Sequence, residues 1–406
     1  MNQHHIVLVS LGWIRERDPR QTLGHASILA SLMNHPEIEA TPLQFSVNEP
    51  GFSRERMLSS VLAALSSDQT ILALGVYVWN EAHVQWLLRE IRRSGFHGRI
   101  VLGGPQVSYA PCRLESLYPD ADFFIRGYAE EALPLLPKGD RKAPEIICKG
   151  MLDTGAQADA DLERLPSPHL RGVLSSSSII RMETQRGCIY RCTFCQHREA
   201  GPQSKCRAFS RERLEAEIHY FSESNISRIN VLDPIFNTHR AHALWVLGQF
   251  AAQKFRGQLS FQCRFESITE EFLDACSSLS VCLEFGLQTI QEAEMKCIER
   301  TNNLPKVEQA IRWLNESRIP FEVSLIYGLP QQTLSSFQAS IDWCRDHGVP
   351  KIRAYPLMLL RGTPIERNRE VWSLVENDDP IPLVVSSSSF NRAEWEKMNE
   401  IARALA

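Results

Sequence analysis

Three of the eleven cysteines in this 406-residue chain lie close together in the sequence, at Cys188, Cys192 and Cys195. Thiolates are soft ligands that suit iron–sulfur clusters. A 4Fe-4S cluster offers four ligand positions, and this segment fills three, which leaves one iron free to bind a small molecule. Gly187 precedes the first cysteine and lets the backbone turn tightly towards the cluster. The spacing therefore predicts a 4Fe-4S cluster with one open iron.

A structural zinc site is the alternative use of the same thiols. Zinc would need a fourth ligand, which His197 or Cys206 could provide. The gap of two residues is common in zinc sites, but the gap of three followed by two is not. Cys206 could also be a fourth cluster ligand, although we favour burial or a free thiol.

The remaining cysteines are isolated in the sequence. A free cysteine is often a small core residue, and disulfides are rare in a reducing compartment, so we interpret these residues as buried thiols. They are Cys112, Cys148, Cys263, Cys276, Cys282, Cys297 and Cys344.

Strands and helices alternate through the second half of the chain. The candidate strands are Ser178–Thr184, Arg228–Leu232, Leu259–Arg264, Val281–Gly286, Phe321–Ile326 and Arg353–Leu357. Helices fit between them, for example at Arg211–Ser224, Ala241–Lys254 and Lys306–Ser317. Six such units in series predict an open, partial (β/α)6 barrel, where the active site lies at the C-terminal ends of the strands. The three cysteines follow the first of these strands.

The first third of the chain also alternates strands and helices, which favours a parallel sheet covered on both faces. The candidate elements are His5–Ser10, Thr22–Asn34, Thr70–Val78, Glu81–Arg93, Arg99–Leu102 and Asp122–Ile125. We therefore predict an α/β chain with a Rossmann-like domain over residues 1–137, a linker over 138–174, the barrel over 175–370 and a short C-terminal helical segment over 371–406. The helix of that last segment is expected at Arg392–Ala404.

The cysteine spacing, its place after the first barrel strand and the preceding Arg186-Gly187 resemble the radical S-adenosylmethionine (SAM) superfamily. The resemblance implies that the open iron chelates the amino and carboxylate groups of SAM. One electron from the cluster would then cleave the sulfonium to give methionine and a 5′-deoxyadenosyl radical, which abstracts a hydrogen from the substrate. Phe194 matches the family position that packs beside the adenine.

Further segments after the strands resemble the same superfamily, over roughly Ser178 to Pro364. The segments are Asp233-Pro-Ile-Phe-Asn237, Arg264 with Glu266, Glu284-Phe-Gly-Leu-Gln288, Ser324–Pro330 and Tyr355–Thr363. A polar residue at a strand end is about as often structural as functional, so the order of the segments carries the resemblance. It implies cofactor-binding roles for Asp233, Arg264, Glu284, Gln288 and Tyr327.

Glycine-rich segments in the first domain resemble the cobalamin-binding domain that precedes many radical enzymes. They are Gly75-Val-Tyr-Val-Trp-Asn80, Gly103-Gly104-Pro-Gln-Val-Ser108 and Arg126-Gly-Tyr-Ala-Glu-Glu131. At the carboxyl ends of parallel strands, glycines such as Gly75, Gly103 and Gly104 would let the backbone approach a ligand. The Asp-x-His-x-x-Gly signature that gives cobalt a histidine is absent, so cobalt would lack a ligand from this motif. The alternative is a domain that binds nothing and only shields the barrel.

The composition excludes other classes of function. The net charge is −4 and no long basic run occurs, so nucleic acid is not an expected partner. No signal peptide and no apolar run long enough to span a membrane are found, and we expect a cytoplasmic protein.

The favoured function is cobalamin-dependent radical methylation of a small-molecule substrate, with flavodoxin or ferredoxin as electron donor. In that reaction, a methyl group carried by cobalamin goes to a substrate radical, and a second SAM recharges the cobalt. The alternatives are a radical SAM enzyme without methyl transfer, such as aminocarboxypropyl transfer from SAM, ring rearrangement or oxidation. A tRNA-modifying enzyme is disfavoured by the acidic charge. A non-catalytic cluster protein is a further alternative.

Overall fold

The computed structural model describes residues 4–15, 18–111, 113–137, 145–174, 177–199 and 206–405. It divides into two compact units, Met1–Ser176 and Ser177–Ala406. Each unit is built on a largely parallel six-stranded sheet with helices in the connections, which confirms the predicted α/β class. Cys112 lies outside the described residues, as do residues 138–144 of the predicted linker.

The first unit contains a doubly wound sheet. Its strands are β1 (His4–Gly12), β2 (Ile38–Ser46), β3 (Ile71–Gly75), β4 (Ile100–Gly103), β5 (Phe123–Ile125) and β6 (Ile146–Cys148). Its helices are α1 (Leu23–Leu32), α2 (Arg54–Ala64), α3 (Glu81–Arg93), α4 (Pro105–Ser108), α5 (Leu114–Leu117) and α6 (Ala129–Ala132), followed by a 3₁₀ turn at Leu133–Leu135. The strand order β2-β1-β3-β4-β5-β6 puts a topological switch point between β1 and β3, where such sheets bind ligands.

The core of this unit lies on both faces of the sheet. Val7 and Val9 of β1 pack into one apolar cluster, whereas Ile6 and Leu8 pack into another. Successive side chains of a strand point to opposite faces, so an unbroken apolar run such as Ile6–Val9 is suited to a strand that is covered on both sides.

The structure differs from the sequence prediction at two places in the first unit. The prediction missed α2, and it missed β2 because Pro42 interrupts the alternating segment; a proline is tolerated within a strand only at a sheet edge, where β2 lies. In the predicted linker, residues 145–174 belong to the first unit: β6 pairs antiparallel with β5, and buried Arg126 forms an ion pair with Asp153. These residues are buried by partners that are distant in the sequence, so the segment shows no local periodicity from which its structure could be predicted.

The second unit contains the predicted open, partial (β/α)6 barrel. Its strands are β7 (Ile179–Met182), β8 (Gln185–Arg186), β9 (Arg207–Ala208), β10 (Arg228–Val231), β11 (Gln258–Cys263), β12 (Val281–Gln288), β13 (Phe321–Tyr327), β14 (Ile352–Pro356), β15 (Val375–Glu376) and β16 (Val384–Ser386). Strands β7, β10, β11, β12, β13 and β14 form one parallel sheet in chain order. All six predicted strands are present, each within two residues at either end.

The helices of the second unit, except α10, begin at side-chain caps. They are α7 (Arg211–Glu223), α8 (Arg240–Ala252), α9 (Glu270–Ser277), α10 (Glu292–Cys297), α11 (Leu304–Glu316), α12 (Leu334–Asp346), α13 (Pro364–Arg367) and α14 (Arg392–Ala404), with 3₁₀ turns at Gln196–Glu199 and Phe265–Ser267. The predicted C-terminal helix is confirmed as α14, which Asn391 and Glu394 start with a reciprocal capping box. Within the described ranges, no helix is both long and apolar enough to cross a membrane.

Candidate functional site

The cysteine loop, residues 187–206, leaves the barrel directly after β7 and is described at 187–199 and 206. Its base is closed by the short antiparallel pair of β8 and β9, and by the Cys206 Sγ, which donates to the Gly187 carbonyl at 3.5 Å. Gly187 has φ +97°, a left-handed conformation that favours glycine. The two ends of the loop are therefore held together near the carboxyl end of the first barrel strand.

The three thiols of the cysteine loop form one group. Cys192 is buried, and Cys188 and Cys195 are half-buried. Burial, together with the neighbouring Cys192 and Cys188, raises the pKa of the Cys195 thiol to about 11. Burial likewise raises the pKa of Cys188. The Cys188 and Cys195 thiols are therefore protonated at neutral pH unless a metal displaces the proton.

The grouping suits a cluster better than a single ion. In the described part of the chain, no three His, Cys, Asp or Glu side chains are close enough together to hold one metal ion. Tetrahedral zinc needs its thiolates about 2.3 Å from a single centre. A 4Fe-4S cluster binds each cysteine at a different iron, so its thiolates are spread more widely. Three neighbouring thiols are the soft donor set that a 4Fe-4S cluster takes, so the residue types present fit such a cluster.

Arg300 is the functional candidate that the sequence did not reveal. It is buried, its Nη1 lies 3.6 Å from the Cys192 Sγ, and its Nη2 donates to the Gly286 carbonyl. Its Nε is buried without a hydrogen-bond partner among the described residues. The guanidinium also lowers the pKa of Cys188 and Cys195, against the effect of burial. A buried cation with spare donors is a binding group for an anion. Arg300 lies in the connection after α10, outside every recognised motif, so no spacing pointed to it.

Gln288 lies beside Arg300 because β12 has a bulge. The register against β13 shifts between Gly286 and Gln288, and Gln288 adopts φ +70°. A side chain at position 286 would collide with the Gln288 amide and come within 3.4 Å of Arg300. Buried Asn302 fixes the bulge, since its Nδ2 donates to the carbonyls of Leu287 at 2.7 Å and Thr289 at 3.1 Å. The strained backbone and the glycine together create room where Gln288 and Arg300 meet.

Glu284 and Arg264 are both held by neighbouring side chains. The Ser260 hydroxyl donates to Glu284 at 2.5 Å across β11 and β12. Arg264 donates twice to Glu266, at 3.0 and 3.2 Å, and its guanidinium lies 4.3 Å from the ring centre of Tyr190 in the cysteine loop. In this structure Arg264 therefore clamps the loop, and its predicted contact with a cofactor stays a prediction.

Two predicted cofactor residues have their side chains engaged elsewhere. Tyr327 is buried and donates from its hydroxyl to Asn399 on α14 at 2.9 Å, and burial raises its pKa to about 12. Asp233 is fully buried and accepts hydrogen bonds from Thr184 and Gln185. Tyr327 points to the face of β13 that packs on helices, and Asp233 supports the chain before the cysteine loop. Neither side chain faces open space.

Phe194 is half-buried within the loop.

Thr193 fastens the cysteine loop from its other side. Its backbone N–H donates to the Ile298 carbonyl at 3.0 Å and its hydroxyl to the Cys297 carbonyl at 3.1 Å. Its own carbonyl accepts from the Ile365 N–H at 3.1 Å. The loop is thereby fixed to the ends of α10 and α13, which no sequence motif indicated.

At the switch point of the first unit, a short loop after β3 is pinned to the end of β1. Asn80 is fully buried, and its Nδ2 donates to the carbonyls of Leu11 at 3.0 Å and Gly75 at 3.1 Å. The Trp79 Nε1 donates to the same Leu11 carbonyl at 3.1 Å. Tyr77 and Trp79 stack with ring centres 4.6 Å apart. The result is a rigid aromatic face at the edge where doubly wound sheets bind ligands.

The glycines of the first unit have different reasons to be glycine. Gly104 has φ +87°, and a side chain there would lie 2.7 Å from the Val76 carbonyl oxygen. Close packing of the β3 and β4 ends therefore explains Gly104 without a ligand. A side chain at Gly103 would make only an ordinary contact, 3.5 Å from the Ile125 carbonyl oxygen, and one at Gly75 would press on the Tyr77 ring at 3.1 Å.

Comparison with known sequences gives one family and two related proteins. The family described as the Radical SAM superfamily matches residues 182–363. A 2-(S-pantetheinyl)-carbapenam-3-carboxylate methyltransferase from Streptantibioticus cattleyicolor is 27% identical over 348 residues, covering 76% of this chain and 50% of that protein. The cobalamin-dependent radical SAM methyltransferase TokK from Streptomyces tokunonensis is 27% identical over 337 residues, covering 74% and 48%. The chain spans about half the length of these curated relatives.

Solved structures with the same fold extend over the whole chain. The radical SAM methyltransferase TsrM from Kitasatospora setae, with tryptophan and a SAM analogue bound, superposes with a TM-score of 0.76 at 16% identity and covers 100% of this chain and 89% of that one. The cobalamin-dependent SAM radical enzyme OxsB, with aqua-cobalamin and SAM bound, gives a TM-score of 0.72 at 16% identity, covering 98% and 66%. At these identities the likeness establishes the fold alone.

Proposed function

We propose that the protein is a cobalamin-dependent radical SAM methyltransferase acting on a small molecule, on the premise that residues 182–363, which match the Radical SAM superfamily, form a radical SAM domain. The names of both sequence relatives, each a methyltransferase, support the reaction class. The observation that carries the proposal is the group of three thiols at the strand ends of the barrel, with the Arg300 guanidinium beside the Cys192 Sγ and the Gln288 amide near Arg300.

The cysteine loop would hold a 4Fe-4S cluster through Cys188, Cys192 and Cys195. A bound cluster would supply the electron that cleaves SAM reductively, delivered by a donor such as flavodoxin or ferredoxin. The protein's part is to place SAM. The free Nε of Arg300 and the nearby Gln288 amide are suited to its carboxylate, because charge-assisted hydrogen bonds are the stronger ones. Burial of these donors strengthens their pull on the ligand.

The first unit would hold the corrinoid at its switch point. A bound cobalamin would supply the methyl group. The stacked Tyr77 and Trp79 offer a flat, largely apolar face, and bonds from Asn80 and Trp79 to the Leu11 carbonyl keep it fixed. A preorganised face of this kind lowers the ordering cost of binding a large rigid ligand. With no Asp-x-His-x-x-Gly signature, we expect cobalt without a histidine ligand from this motif.

Anaerobic reconstitution tests the proposal. The protein, produced with hydroxocobalamin and loaded with iron and sulfide, should contain four irons and one cobalt per chain. Incubation with SAM and a reductant should yield 5′-deoxyadenosine, and S-adenosylhomocysteine should also form once a substrate is methylated.

Each departure from this result has a definite meaning. Stoichiometric zinc without iron would refute the cluster. 5′-Deoxyadenosine from a preparation that retains no corrinoid, with activity unaffected by its absence, would favour the non-methylating alternatives, such as aminocarboxypropyl transfer.

A further inference from the structure

A buried carboxylate lies under the chain segment that leads into the cysteine loop. Asp233 is 0% exposed, and its Oδ1 accepts from the backbone N–H of Thr184 at 2.7 Å and of Gln185 at 3.2 Å. Its Oδ2 accepts from the Thr184 hydroxyl at 2.5 Å. The carboxylate is therefore bonded three times to two consecutive residues.

The bonds continue outwards to a histidine on α8. The His242 Nε2 lies 2.8 Å from the Thr184 Oγ1. When Asp233 is ionised, the single hydrogen of the Thr184 hydroxyl points to its carboxylate, and the His242 Nε2 then donates to the Thr184 oxygen. The chain of donors runs from His242 to Thr184 to Asp233, and we call these three residues the Asp233 network.

The Asp233 network acts on the base of the cysteine loop. Thr184 and Gln185 end the connection from β7, and Gln185 begins the β8–β9 pair that closes the loop. Cys188 follows Gln185 by three residues. A displacement of the Gln185 backbone would therefore also displace Cys188, whose thiol we propose as an iron ligand. Sites of this kind need their ligands within about 0.5 Å of the working geometry.

We propose that Asp233, Thr184 and His242 are positioning residues that set the register of the cysteine loop for its cluster. This inference rests on the proposed function, because it presumes that the loop binds a cluster. It also gives Asp233 a role other than the cofactor contact expected from the resemblance. Partners outside the first ligand sphere commonly change metal affinity by about 10- to 100-fold when they are removed.

Thr184 allows a matched pair of variants. Thr184→Val keeps the shape of the side chain and removes the hydroxyl, whereas Thr184→Ser keeps the hydroxyl. Asp233→Asn should act like Thr184→Val, because three donors face the carboxylate and an amide would turn an NH2 towards one of them. Glu322→Gln is the control: this carboxylate is nearly as buried in the same barrel, but it bonds Arg353 and Lys351 and does not contact the cysteine segment.

The readouts are iron release to a chelator, the midpoint potential of the cluster and its electron paramagnetic resonance spectrum. We expect iron release about 10-fold faster in Thr184→Val and Asp233→Asn, with a shifted potential and spectrum, while Thr184→Ser and Glu322→Gln match the wild type. If either of the first two variants does not fold, His242→Leu, on a half-buried site, carries the comparison with a smaller shift in the same direction.

The possible failures are distinguishable. A wild-type protein that binds no iron would overturn the proposed function. A wild type with four irons, together with a Thr184→Val variant equal to Thr184→Ser in iron release, potential and spectrum, would overturn the positioning role alone. A loss of thermal stability in Thr184→Val with an unchanged potential and spectrum would also contradict it, since that result describes a purely structural bond.

Discussion

The carboxyl ends of the two sheets are built on different principles. At the barrel end, the buried Arg300, Gln288 with its positive φ and the three thiols lie near one another, and among the described residues the Arg300 Nε has no hydrogen-bond partner. At the end of the first sheet, the stacked Tyr77 and Trp79 are held by neutral bonds to backbone carbonyls. On the proposed function, the first arrangement would select a ligand by charge and the second by shape. One edge is thus suited to a reacting ionic group and the other to a large neutral ring system.

Two asparagines make this comparison testable. Asn80 fixes the loop after β3, and Asn302 fixes the bulge of β12, in each case through two bonds from a buried amide to carbonyl oxygens. At both sites a buried asparagine amide fixes the backbone, although one site is charged and the other is aromatic.

The largest effect is expected at the thiols. Cys192→Ala should abolish iron binding and SAM cleavage, because a cluster bound by two cysteines has lost a ligand in its most buried position. Iron and sulfide per chain are the measurement. The control is Cys344→Ala, a fully buried cysteine on α12 with no proposed ligand role, which should keep its iron. Equal iron in the two variants would exclude the proposed cluster ligands.

The next effect concerns the cation. Arg300→Gln should weaken SAM binding roughly 10- to 100-fold, since hydrogen bonds to charged groups contribute about 1.5–3 kcal/mol. Arg300→Lys keeps the charge but not the planar fork, and should fall between that variant and the wild type. Binding is measured by calorimetry on the iron-loaded protein. Unchanged affinity at full iron content would show that the barrel end does not select by charge.

The paired asparagine variants come third. Asn80→Ala should reduce corrinoid retention about 10-fold and leave SAM binding intact, whereas Asn302→Ala should weaken SAM binding and leave the corrinoid in place. Each truncation removes two hydrogen bonds that a buried amide donates, at about 0.5–1.5 kcal/mol each. Cobalt content after gel filtration and SAM titration give the two readings. A variant that lowers both by the same factor would mean that the two surfaces are not independent.

The smallest effect is expected at Trp79. Trp79→Phe keeps one aromatic ring but loses the bond to the Leu11 carbonyl and part of the stacked area, so corrinoid affinity should drop roughly 2- to 10-fold. Trp79→Ala removes the stacked face and should cost more. Absorbance titration with hydroxocobalamin compares them. If the two variants bind equally, the aromatic pair is not the binding surface.

Elements with local signals were predictable. The six barrel strands and α14 follow from alternation, apolar runs and caps, and the structure has them within two residues of the predicted ends. Elements that depend on distant partners were not. β6 is short, and the Arg126–Asp153 ion pair joins residues separated by 27 positions, so the segment looked like a linker.

The sequence by itself determined the cysteine spacing and the order of strands and helices, because both are written in short stretches of chain. Only the tertiary structure decided which side chains meet. The bulge at Gly286 places Gln288 near Arg300. The side chain of Tyr327 lies on the strand face that packs against α14, where it donates to Asn399. Asp233 accepts a hydrogen bond from Thr184, in the segment before the cysteines. The physical reason is that side-chain direction depends on register and on partners supplied by other strands. A register shift of one residue, or a bulge, turns a side chain to the opposite face of the sheet although the amino-acid sequence pattern is unchanged.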